Sequence, residues 1–543
     1  MGRPRDKIEV REPGLSKWTD KQHVVRTASI LAACLLFAGA YYQWPLFSSN
    51  QNMYFLHGMA RAGFGYLSSD WLAQQTDHVP VFGAMVSLVQ KLDSQWLYYT
   101  MFGSLAAIYV VSLLVITTRH SLTDVGIHQL AFFFSLFTLL HSSWILGPIA
   151  DLLPGLSQLV LQLQRIAFLS TNGVAEQYIL GSYLQPSAFG VLLIASVSFF
   201  VSKKEYMAIV CAVFAATINP TYTLHAAILT GAYMKVLVSE RRVRKATNVG
   251  ALAILLILPS VMYVVPELNL TDYPALSAAQ AILVEERLPH HAKISVWFSG
   301  SVYIQLAVVL VGVGLSRNRK RLFHVLLICS MVSIVLTILQ VVTSNRALAL
   351  LFPWRLSAWL VPMCAAIVLA NISMAAANMI DAISGHRFRR FVRTCAISLS
   401  AIFLASACNL GVKNTVEDVV TDRYQGTVLS YAKIHSGPGQ TYLIPLELQE
   451  FRLVTGLPAF VDWKSIPYRP DELVEWYERF QLARAYYDAS NITEAIAALG
   501  TVKEHSKITH VIVDVESDVL HAAMRMNPEF NNGTHVVYKL GNP

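Results

Sequence analysis

Long apolar runs, separated by shorter polar segments, dominate the pattern along the chain. A transmembrane helix needs roughly 20 predominantly apolar residues to cross the hydrocarbon core of a bilayer. The pattern therefore predicts an α-helical polytopic membrane protein with about eleven transmembrane helices. We place them at residues 27–46, 96–116, 127–146, 187–202, 205–219, 220–238, 247–266, 300–315, 323–343, 356–378 and 392–411.

Basic residues are concentrated in alternate polar segments. Roughly 23 Lys and Arg residues lie in the N-terminal arm and in the loops that share its side, against about seven in the opposite loops. Positive residues stay on the cytoplasmic side of a membrane. We therefore predict a cytoplasmic N-terminal arm at residues 1–26, an extracytoplasmic C-terminus and a multi-span domain at residues 27–411. Three long loops then face outward, at residues 47–95, 147–186 and 267–298.

The pattern changes from about residue 412, where charged residues become frequent and apolar runs become short. Short β-type runs alternate with longer helix-type runs, which is typical of a small α/β domain. We predict such a domain at residues 412–543, outside the cytoplasm. Its predicted strands are "QTYLIPL", "THVIVDV" and "THVVYKL", and its predicted helices are "RPDELVEWYERFQLARAYYDA" and "ITEAIAALGTVKEHS".

Composition agrees with a membrane location. Hydrophobic residues make up 54% of the chain and charged residues 14%, whereas soluble domains carry roughly 25% charged residues. The net charge of +8 comes from basic loops next to apolar runs, so we expect a membrane protein without a nucleic-acid partner. The six cysteines form no CxxC pair, and we predict no metal site from them. A bacterial inner membrane is the expected location.

Asp70, in the first outer loop, is the candidate catalytic residue. A carboxylate at the outer membrane surface can act as a general base or hold a metal ion near a lipid phosphate. It also stands directly before "WLAQQ", where an aspartate commonly caps the following helix. The two roles are compatible, and the sequence leaves both open.

Arg355 lies in "LFPWRLSAWLVP", at the predicted outer end of a span. A charge in the bilayer core is costly, so its presence needs a reason. A long side chain at a helix end can extend its charged group to the interface. Alternatively, its planar guanidinium can bind the phosphate of a polyprenyl lipid, whose headgroup lies at this depth.

The third outer loop ends in "VEERLPHHAKISVWF", which brings Arg287, His290 and His291 together before a span. Histidines bind phosphate when charged and divalent metals when neutral. Adjacent positions on a helix point in different directions, which disfavours chelation of one metal by both. The alternative is a solvated polar linker.

Two further motifs lie near the predicted outer surface. Tyr183 and Gln185 stand in "GSYLQPSAFG", and Asn219 and Tyr222 stand in "INPTYTLHAA", where a predicted span is broken. Irregular backbone at membrane depth is tolerated only where protein or a wet cavity satisfies it. We therefore predict that these four residues contact substrate, the alternative at the break being a tight hairpin between two short spans.

In the C-terminal domain, "PAFVDWKSIPY" is dense in polar and aromatic residues. Asp462, Trp463 and Lys464 follow a short strand-like run there. Ligand contacts are common at strand ends in α/β folds. A structural role in docking the domain onto the membrane part is the equal alternative.

This arrangement resembles the GT-C superfamily of membrane glycosyltransferases, and several motifs resemble an uncharacterised bacterial membrane family with a GT-C-like layout. The resemblance implies Asp70 as base or metal-linked carboxylate, and Arg355 and His290 as ligands of the donor phosphate. In the related tryptophan C-mannosyltransferases an acid closely follows the first span, whereas this chain has "SSNQNMY" there. The motifs are "YFLHGMARAGFGYLSSDWLA", "YLQPSAFG", "NPTYTLHAA", "RLPHHAKISVW", "LFPWRLSAWLVP" and "FRLVTGLPAFVDWKSIPY".

The leading hypothesis is transfer of a sugar from a polyprenyl-phosphate donor to an acceptor at the outer membrane face. A divalent cation such as Mg²⁺ or Mn²⁺ could serve this chemistry, although the sequence identifies no cofactor. Two alternatives remain. One is a flippase-like lipid or glycan transporter, and the other is a non-catalytic accessory subunit whose C-terminal domain binds a protein partner.

Overall fold

The computed structural model of the chain contains a helix at every predicted span. Most of the predicted N-terminal arm, most of one predicted cytoplasmic loop and short pieces of the second and third outer loops lie outside the described residues. The structure describes residues 20–118, 126–147, 151, 154–269 and 273–541. The helices at the predicted spans are Asp20–Ala40, Trp96–Thr118, Ile127–His141, Val191–Val201, Glu205–Ile218, Thr223–Ser239, Val243–Asn269, Gly300–Leu315, Lys320–Thr343, Ser357–Asp381 and His386–Val420.

Six helical segments in the described residues are long and apolar enough to cross a membrane, so the chain is an integral membrane protein. The count of about eleven spans and the orientation remain predictions. The six segments are Trp96–Thr117, Val243–Tyr263, Gly300–Asn318, Lys320–Thr343, Arg346–Asp381 and His386–Val420. Shorter apolar helices are Thr27–Ala40, Ile127–His141, Pro186–Val201 and Glu205–Ile218.

The break predicted at "INPTYTLHAA" is a short 3₁₀ turn, Pro220–Tyr222, between two helices. Proline fixes its own φ and lacks a backbone donor, so it suits the first position of a new helical turn. The Asn219 side chain accepts hydrogen bonds from the Thr221 amide at 3.2 Å and from the Thr221 hydroxyl at 2.8 Å. Asn219 therefore caps the turn that joins the two short helices.

The predicted outer loops are themselves largely helical. Segments from the first and third of these loops pack against the C-terminal domain. Helix Tyr273–Ala281 contacts helix Pro470–Tyr487, and the Thr76 amide donates to the Glu472 carboxylate at 3.2 Å. The loop helices are Gln51–Tyr54, Leu56–Arg61, Pro80–Lys91, Ser157–Thr171, Tyr273–Ala281, Pro289–Ala292, Ile294–Trp297 and Arg346–Leu350, with a π-helical turn at Ile282–Arg287.

The C-terminal domain contains a small sheet with helices beside it, and the sheet has four strands, one more than the three that the pattern predicts. The strands are β1 (Tyr442–Leu443), β2 (His510–Asp514), β3 (Phe530–Asn531) and β4 (His535–Lys539). Their order in the sheet is β1-β2-β4-β3. Strands β1 and β2 are parallel, while β4 is antiparallel to both β2 and β3. The helices are Val428–Ile434, Phe451–Thr455, Pro470–Tyr487, Ile492–His505 and Asp518–Met524.

Two findings modify the predicted domain boundary at residue 412. Helix His386–Val420 continues through that position, because the polar residues that follow the apolar run still form helix. The core of the domain also extends into the loops, since Met53 and Ala279 belong to the same buried cluster as Trp476. The domain is therefore not an independent body but is packed onto the first and third loops.

Close packing of the first and last long helices depends on two glycines. A Cβ atom added at Gly411 would lie 2.2 Å from the Gly39 carbonyl oxygen. One added at Gly39 would lie 2.4 Å from the Cys408 sulfur. Small residues at helix contacts let backbones approach closely within membranes. The contact between helices Asp20–Ala40 and His386–Val420 therefore requires glycine at both positions.

We predict that Gly411→Ala lowers the free energy of unfolding by about 1–3 kcal/mol, because overpacking forces the two helices apart. Gly103→Ala is the matched control, since a Cβ there meets no heavy atom within 4 Å. That control should be neutral or slightly stabilising. Thermal unfolding of both variants in detergent tests the contact. Equal effects of the two substitutions would contradict it.

Candidate functional site

The guanidinium of Arg452 lies between two carboxylates in the interior of the protein. Its Nε atom donates to Asp70 Oδ2 at 2.7 Å, and Nη1 donates to Asp462 Oδ2. Nη2 donates to the Ala459 carbonyl oxygen at 2.7 Å. The side chains of Arg452, Asp70 and Asp462 are 2%, 0% and 1% exposed. This buried cluster joins the first loop to the C-terminal domain.

The contacts of Asp70 give it a structural role. Its Oδ1 atom accepts from the amides of Leu72 at 2.9 Å and Ala73 at 3.1 Å, which is the predicted capping arrangement. Its Oδ2 atom also accepts from the Ala459 amide at 2.9 Å. Both oxygens are occupied by protein donors and shielded from solvent, so neither has a free lone pair for the proton of an acceptor substrate. This geometry does not suit the predicted general base, because Arg452 and three backbone amides already occupy the two carboxylate oxygens.

Asp462 orients the motif that follows it. Its Oδ1 atom accepts from the amides of Lys464 and Ser465, each at 2.7 Å. The resulting turn presents Trp463 and Lys464 to the third loop. There Arg287 Nη2 donates to the Lys464 carbonyl oxygen at 3.1 Å, and its guanidinium lies 4.9 Å from the Trp463 ring centroid. The motif therefore docks the domain and also brings a lysine next to a predicted site residue.

Arg355 lies on a short 3₁₀ turn, Pro353–Leu356, directly before a long apolar helix. Its Nε atom donates to Gln177 Oε1 at 2.5 Å, and its guanidinium lies 5.1 Å from the Phe352 ring centroid. The side chain is half-buried. No carboxylate of the described residues forms an ion pair with it. Among the described residues, no hydrogen bond or ion pair links Arg355 to Asp70.

Three non-glycine residues around Arg355 have left-handed backbone conformations. The φ angles are +56° at Ala175, +54° at Glu176 and +45° at Phe352. Such conformations cost roughly 1–3 kcal/mol each and persist only where the surroundings fix them. Two of these residues immediately precede Gln177 and the third lies three positions before Arg355. The strain is therefore concentrated on the two segments that position this hydrogen bond.

The third loop is attached to the same two segments through His291. Its Nδ1 atom lies 2.8 Å from the Ala175 carbonyl oxygen. Its own carbonyl oxygen accepts from Trp354 Nε1 at 3.0 Å. The Trp354 side chain is buried against Trp297, with ring centroids 5.2 Å apart. The predicted residues His291 and Arg355 are therefore held together by backbone and indole contacts.

The histidine pair does not supply positive charge. Burial, with help from His290 and from the positive groups nearby, lowers the pKa of His291 to about 3. Burial and Arg287 lower the pKa of His290, whose ring lies 4.1 Å from that of His291. A lowered pKa favours the neutral form of His291, so that binding of phosphate by a charged His291 stays a prediction without support from these contacts. Among the described residues, no group of three or more His, Cys, Asp or Glu side chains has the arrangement of a metal site.

Lys464 and Arg287 are the cations next to the histidine pair. Burial lowers the pKa of Lys464 to about 8, and the nearby positive Arg287 contributes in the same direction, while Asp462 opposes it. Burial also lowers the pKa of Arg287, whose side chain is 9% exposed. In the described part of the chain, neither side chain has an ion pair with a carboxylate. Both cations therefore lack a direct carboxylate contact, while Asp462 acts on each of them electrostatically.

Tyr183 and Gln185 belong to a hydrogen-bond network between the first and second loops. Gln185 accepts from Asn50 Nδ2 at 3.0 Å and donates to the Tyr178 hydroxyl at 3.1 Å. The Tyr183 hydroxyl donates to Ser49 Oγ at 3.1 Å. These contacts satisfy the polar groups within the protein. The predicted role in substrate contact has no support in them, and positioning of the first loop is what the network provides.

Arg355 interacts electrostatically with Tyr222 and with two tyrosines that the sequence analysis did not select, Tyr54 and Tyr468. The Tyr222 hydroxyl donates to the Ser187 carbonyl oxygen at 2.7 Å, and its side chain interacts electrostatically with Arg355. Burial raises the pKa of Tyr54 and of Tyr468, and the positive charge of Arg355 opposes both rises. Arg355 therefore acts electrostatically on both tyrosines. Tyr468 ends the "DWKSIPY" motif, which was the available signal in the sequence.

Comparisons with known proteins add the following. The model of a family described as "Domain of unknown function (DUF6798)" matches residues 425–483. These residues include Arg452, Asp462 and Lys464. No curated protein matches the chain. Among solved structures, the chain is similar to the archaeal oligosaccharyltransferase AglB from Archaeoglobus fulgidus, in complex with an inhibitory peptide and a dolichol-phosphate. Sequence identity is 9% and the TM-score is 0.45, with 95% of this chain and 74% of that chain covered.

We predict that Asp70→Asn destabilises the protein, because it leaves Arg452 with only one of its two buried charge partners. Breaking a buried ion pair typically costs about 3–5 kcal/mol. Asp488→Asn is the control, since Asp488 and its partner Arg484 are 66% and 56% exposed and such pairs contribute about 0–1 kcal/mol. Thermal unfolding and limited proteolysis of the C-terminal domain measure the difference.

The same pair of variants tests the catalytic alternative. An Asp70→Asn protein that unfolds like the wild type but loses sugar-transfer activity would contradict the structural role and support the predicted general base.

Proposed function

We propose that the chain binds the phosphate of a polyprenyl-phosphate-linked sugar at the outer face of the membrane and transfers that sugar to an acceptor. The observation that carries the proposal is the positive charge at Arg355, Arg287 and Lys464, none of which has an ion pair with a carboxylate in the described residues. Burying charge without a partner is costly. An anionic ligand between these groups would remove that cost.

The chemistry of the groups favours phosphate over other anions. Arginine presents several donors in one plane and binds phosphate oxygens through paired hydrogen bonds. Only the Nε donor of Arg355 is committed to Gln177 among the described residues, which leaves the two terminal nitrogens for a ligand. Gln177 and the turn at Phe352 hold the guanidinium in place before the ligand arrives. Such preorganisation reduces the cost of binding.

The position of Arg355 favours a lipid as the carrier of that phosphate. The residue precedes helix Ser357–Asp381, within the candidate membrane span Arg346–Asp381. A headgroup bound here would leave its hydrocarbon chain in the bilayer. In a transfer reaction, Arg355 and Lys464 would then stabilise the negative charge that develops on the departing lipid phosphate. The resemblance to the GT-C superfamily supports this reaction class.

A second candidate function is favoured by the geometry of Asp70. Since both of its carboxylate oxygens are occupied by protein donors, the first loop lacks a free base at that position. A protein that binds the same lipid phosphate without transferring its sugar fits this arrangement. The flippase-like carrier and the accessory subunit both belong to that class. Binding without turnover of a sugar-bearing lipid would favour it.

We predict that Arg355→Gln weakens binding of a polyprenyl phosphate by about 10–100-fold, because hydrogen bonds to charged groups contribute about 1.5–3 kcal/mol. Arg355→Lys should show an intermediate loss. Arg346→Gln is the matched control, since the Arg346 side chain is 46% exposed and its Nη2 atom lies 3.8 Å from the Glu285 carboxylate. Titration of the purified proteins in detergent gives the affinities, and thermal unfolding checks folding. Wild-type affinity in a folded Arg355→Gln protein would overturn the proposal.

We also predict that binding weakens as pH rises through about 8. The pKa of Lys464 is lowered to about 8, so this lysine is charged below that pH and neutral above it. The anion should therefore bind about tenfold more weakly at high pH. Lys464→Arg keeps the charge and should remove this dependence. A wild-type affinity that is constant across the range, or a Lys464→Arg protein that weakens in parallel, would exclude Lys464 from the site.

A further inference from the structure

We infer that an aromatic hollow next to Arg355 holds the sugar ring of the bound lipid. This inference rests on the proposed function and adds to it the part of the protein that recognises the saccharide. The aromatic hollow is a cavity of about 220 Å³. Four rings form its walls, those of Tyr54, His78, Tyr263 and Tyr468.

Three separate parts of the chain form these walls. Tyr54 and His78 come from the first loop, with ring centroids 5.5 Å apart. Tyr468 comes from the C-terminal domain and stacks on His78 at 3.7 Å, with 20° between the ring planes. Tyr263 comes from helix Val243–Asn269 and donates to the Asp77 carbonyl oxygen at 2.9 Å. The aromatic hollow therefore exists only when the domain is docked on the membrane part.

The walls have the chemistry that a pyranose ring requires. One face of such a ring exposes C–H groups, which pack on the electron-rich faces of aromatic side chains. The hydroxyl groups at its edge need hydrogen-bond partners. Asn219, Thr76 and Arg469 supply polar groups at the wall, and pockets of this kind combine an apolar lining with a few polar contacts.

His78 provides a further polar contact. Its Nε2 atom is buried and has no hydrogen-bond partner among the described residues. Burial lowers the pKa of His78 to about 3, so the ring is neutral near pH 7. A neutral imidazole has one donor and one acceptor nitrogen. A sugar hydroxyl can pair with Nε2 in either tautomer, and this would satisfy an otherwise costly buried atom.

The aromatic hollow lies where a sugar on the proposed phosphate would be. Tyr54 and Tyr468 form part of its wall. Both tyrosines also interact electrostatically with Arg355. In a lipid-linked sugar the phosphate is bonded directly to the ring, so the two binding positions must be adjacent. Asn219, Pro220 and Thr221, at the break between two helices, form another part of the wall.

The size of the cavity limits the ligand. Sites for drug-sized ligands usually have volumes of about 300–1,000 Å³, whereas the aromatic hollow has about 220 Å³. We therefore expect it to enclose a single hexose ring. Further sugars of a longer saccharide would extend into solvent.

The test compares two lipids with the same prenyl chain, a polyprenyl phosphate and the same phosphate carrying one hexose. The wild type should bind the hexose lipid about tenfold more tightly than the sugar-free lipid. Tyr468→Ala should remove this difference, so that the variant binds the two lipids with equal affinity. Tyr468→Phe keeps the ring and should retain most of the difference. Tyr303→Ala, at a 63% exposed tyrosine on helix Gly300–Leu315, is the control and should behave like the wild type.

The outcomes separate this inference from the proposed function. If the wild type binds neither lipid, the proposed function fails. If the wild type binds both lipids with equal affinity and Arg355→Gln weakens both affinities, the proposed phosphate binding stands and the aromatic hollow does not bind the sugar. If a folded Tyr468→Ala protein loses affinity for both lipids in equal proportion, the hollow holds the prenyl chain and the inference is overturned. Unchanged affinities in Tyr468→Ala would overturn it too.

Discussion

The buried guanidinium of Arg452 is the interaction on which the arrangement of the site depends. It joins Asp70 of the first loop to Asp462 of the C-terminal domain. A buried charge cluster of this kind is poor evidence for stability in itself, but loss of one member leaves the others unpaired. The cluster therefore favours one docked position of the domain. In that position Lys464 and Tyr468 reach the membrane part of the protein, which neither could do from a detached domain.

The second constraint is the balance of charge around Arg355. The carboxylates closest to the cationic region are used elsewhere, as Asp462 is by Arg452. Neutral groups hold the cations instead, namely the Gln177 amide for Arg355 and the Lys464 carbonyl oxygen for Arg287. Neutral partners orient a guanidinium without cancelling its charge. Cations that lack a direct carboxylate contact and are held by neutral groups suit an anionic ligand. The position of Arg355 within the candidate span Arg346–Asp381 is the reason why we propose a lipid phosphate as that ligand.

Much of this fold follows from local sequence patterns, and much of the site does not. Apolar runs located the long helices, and alternating short runs located the strands of the domain, because both depend on near neighbours in sequence. Arg355 was selected because a charge at the end of a predicted span needs a reason, and Arg287 was selected because it lies in a polar cluster of the third loop. The pairing of Asp70 with Arg452 spans 382 positions, and no periodicity reports such a contact. For the same reason Asp70 could be recognised as a cap but not as a buried ion-pair partner, and Gln177 gave no signal at all.

The central claim is that the docked domain and the Arg355 turn together bind a lipid phosphate. The most direct test is an electron cryo-microscopy map of the full chain in lipid nanodiscs with an added polyprenyl phosphate. The account predicts phosphate density within about 3 Å of a terminal nitrogen of Arg355, on the side that faces Lys464, with the prenyl chain running into the bilayer. Phosphate density at another place, with the Arg355 side chain extended to the bulk headgroup layer, would contradict it.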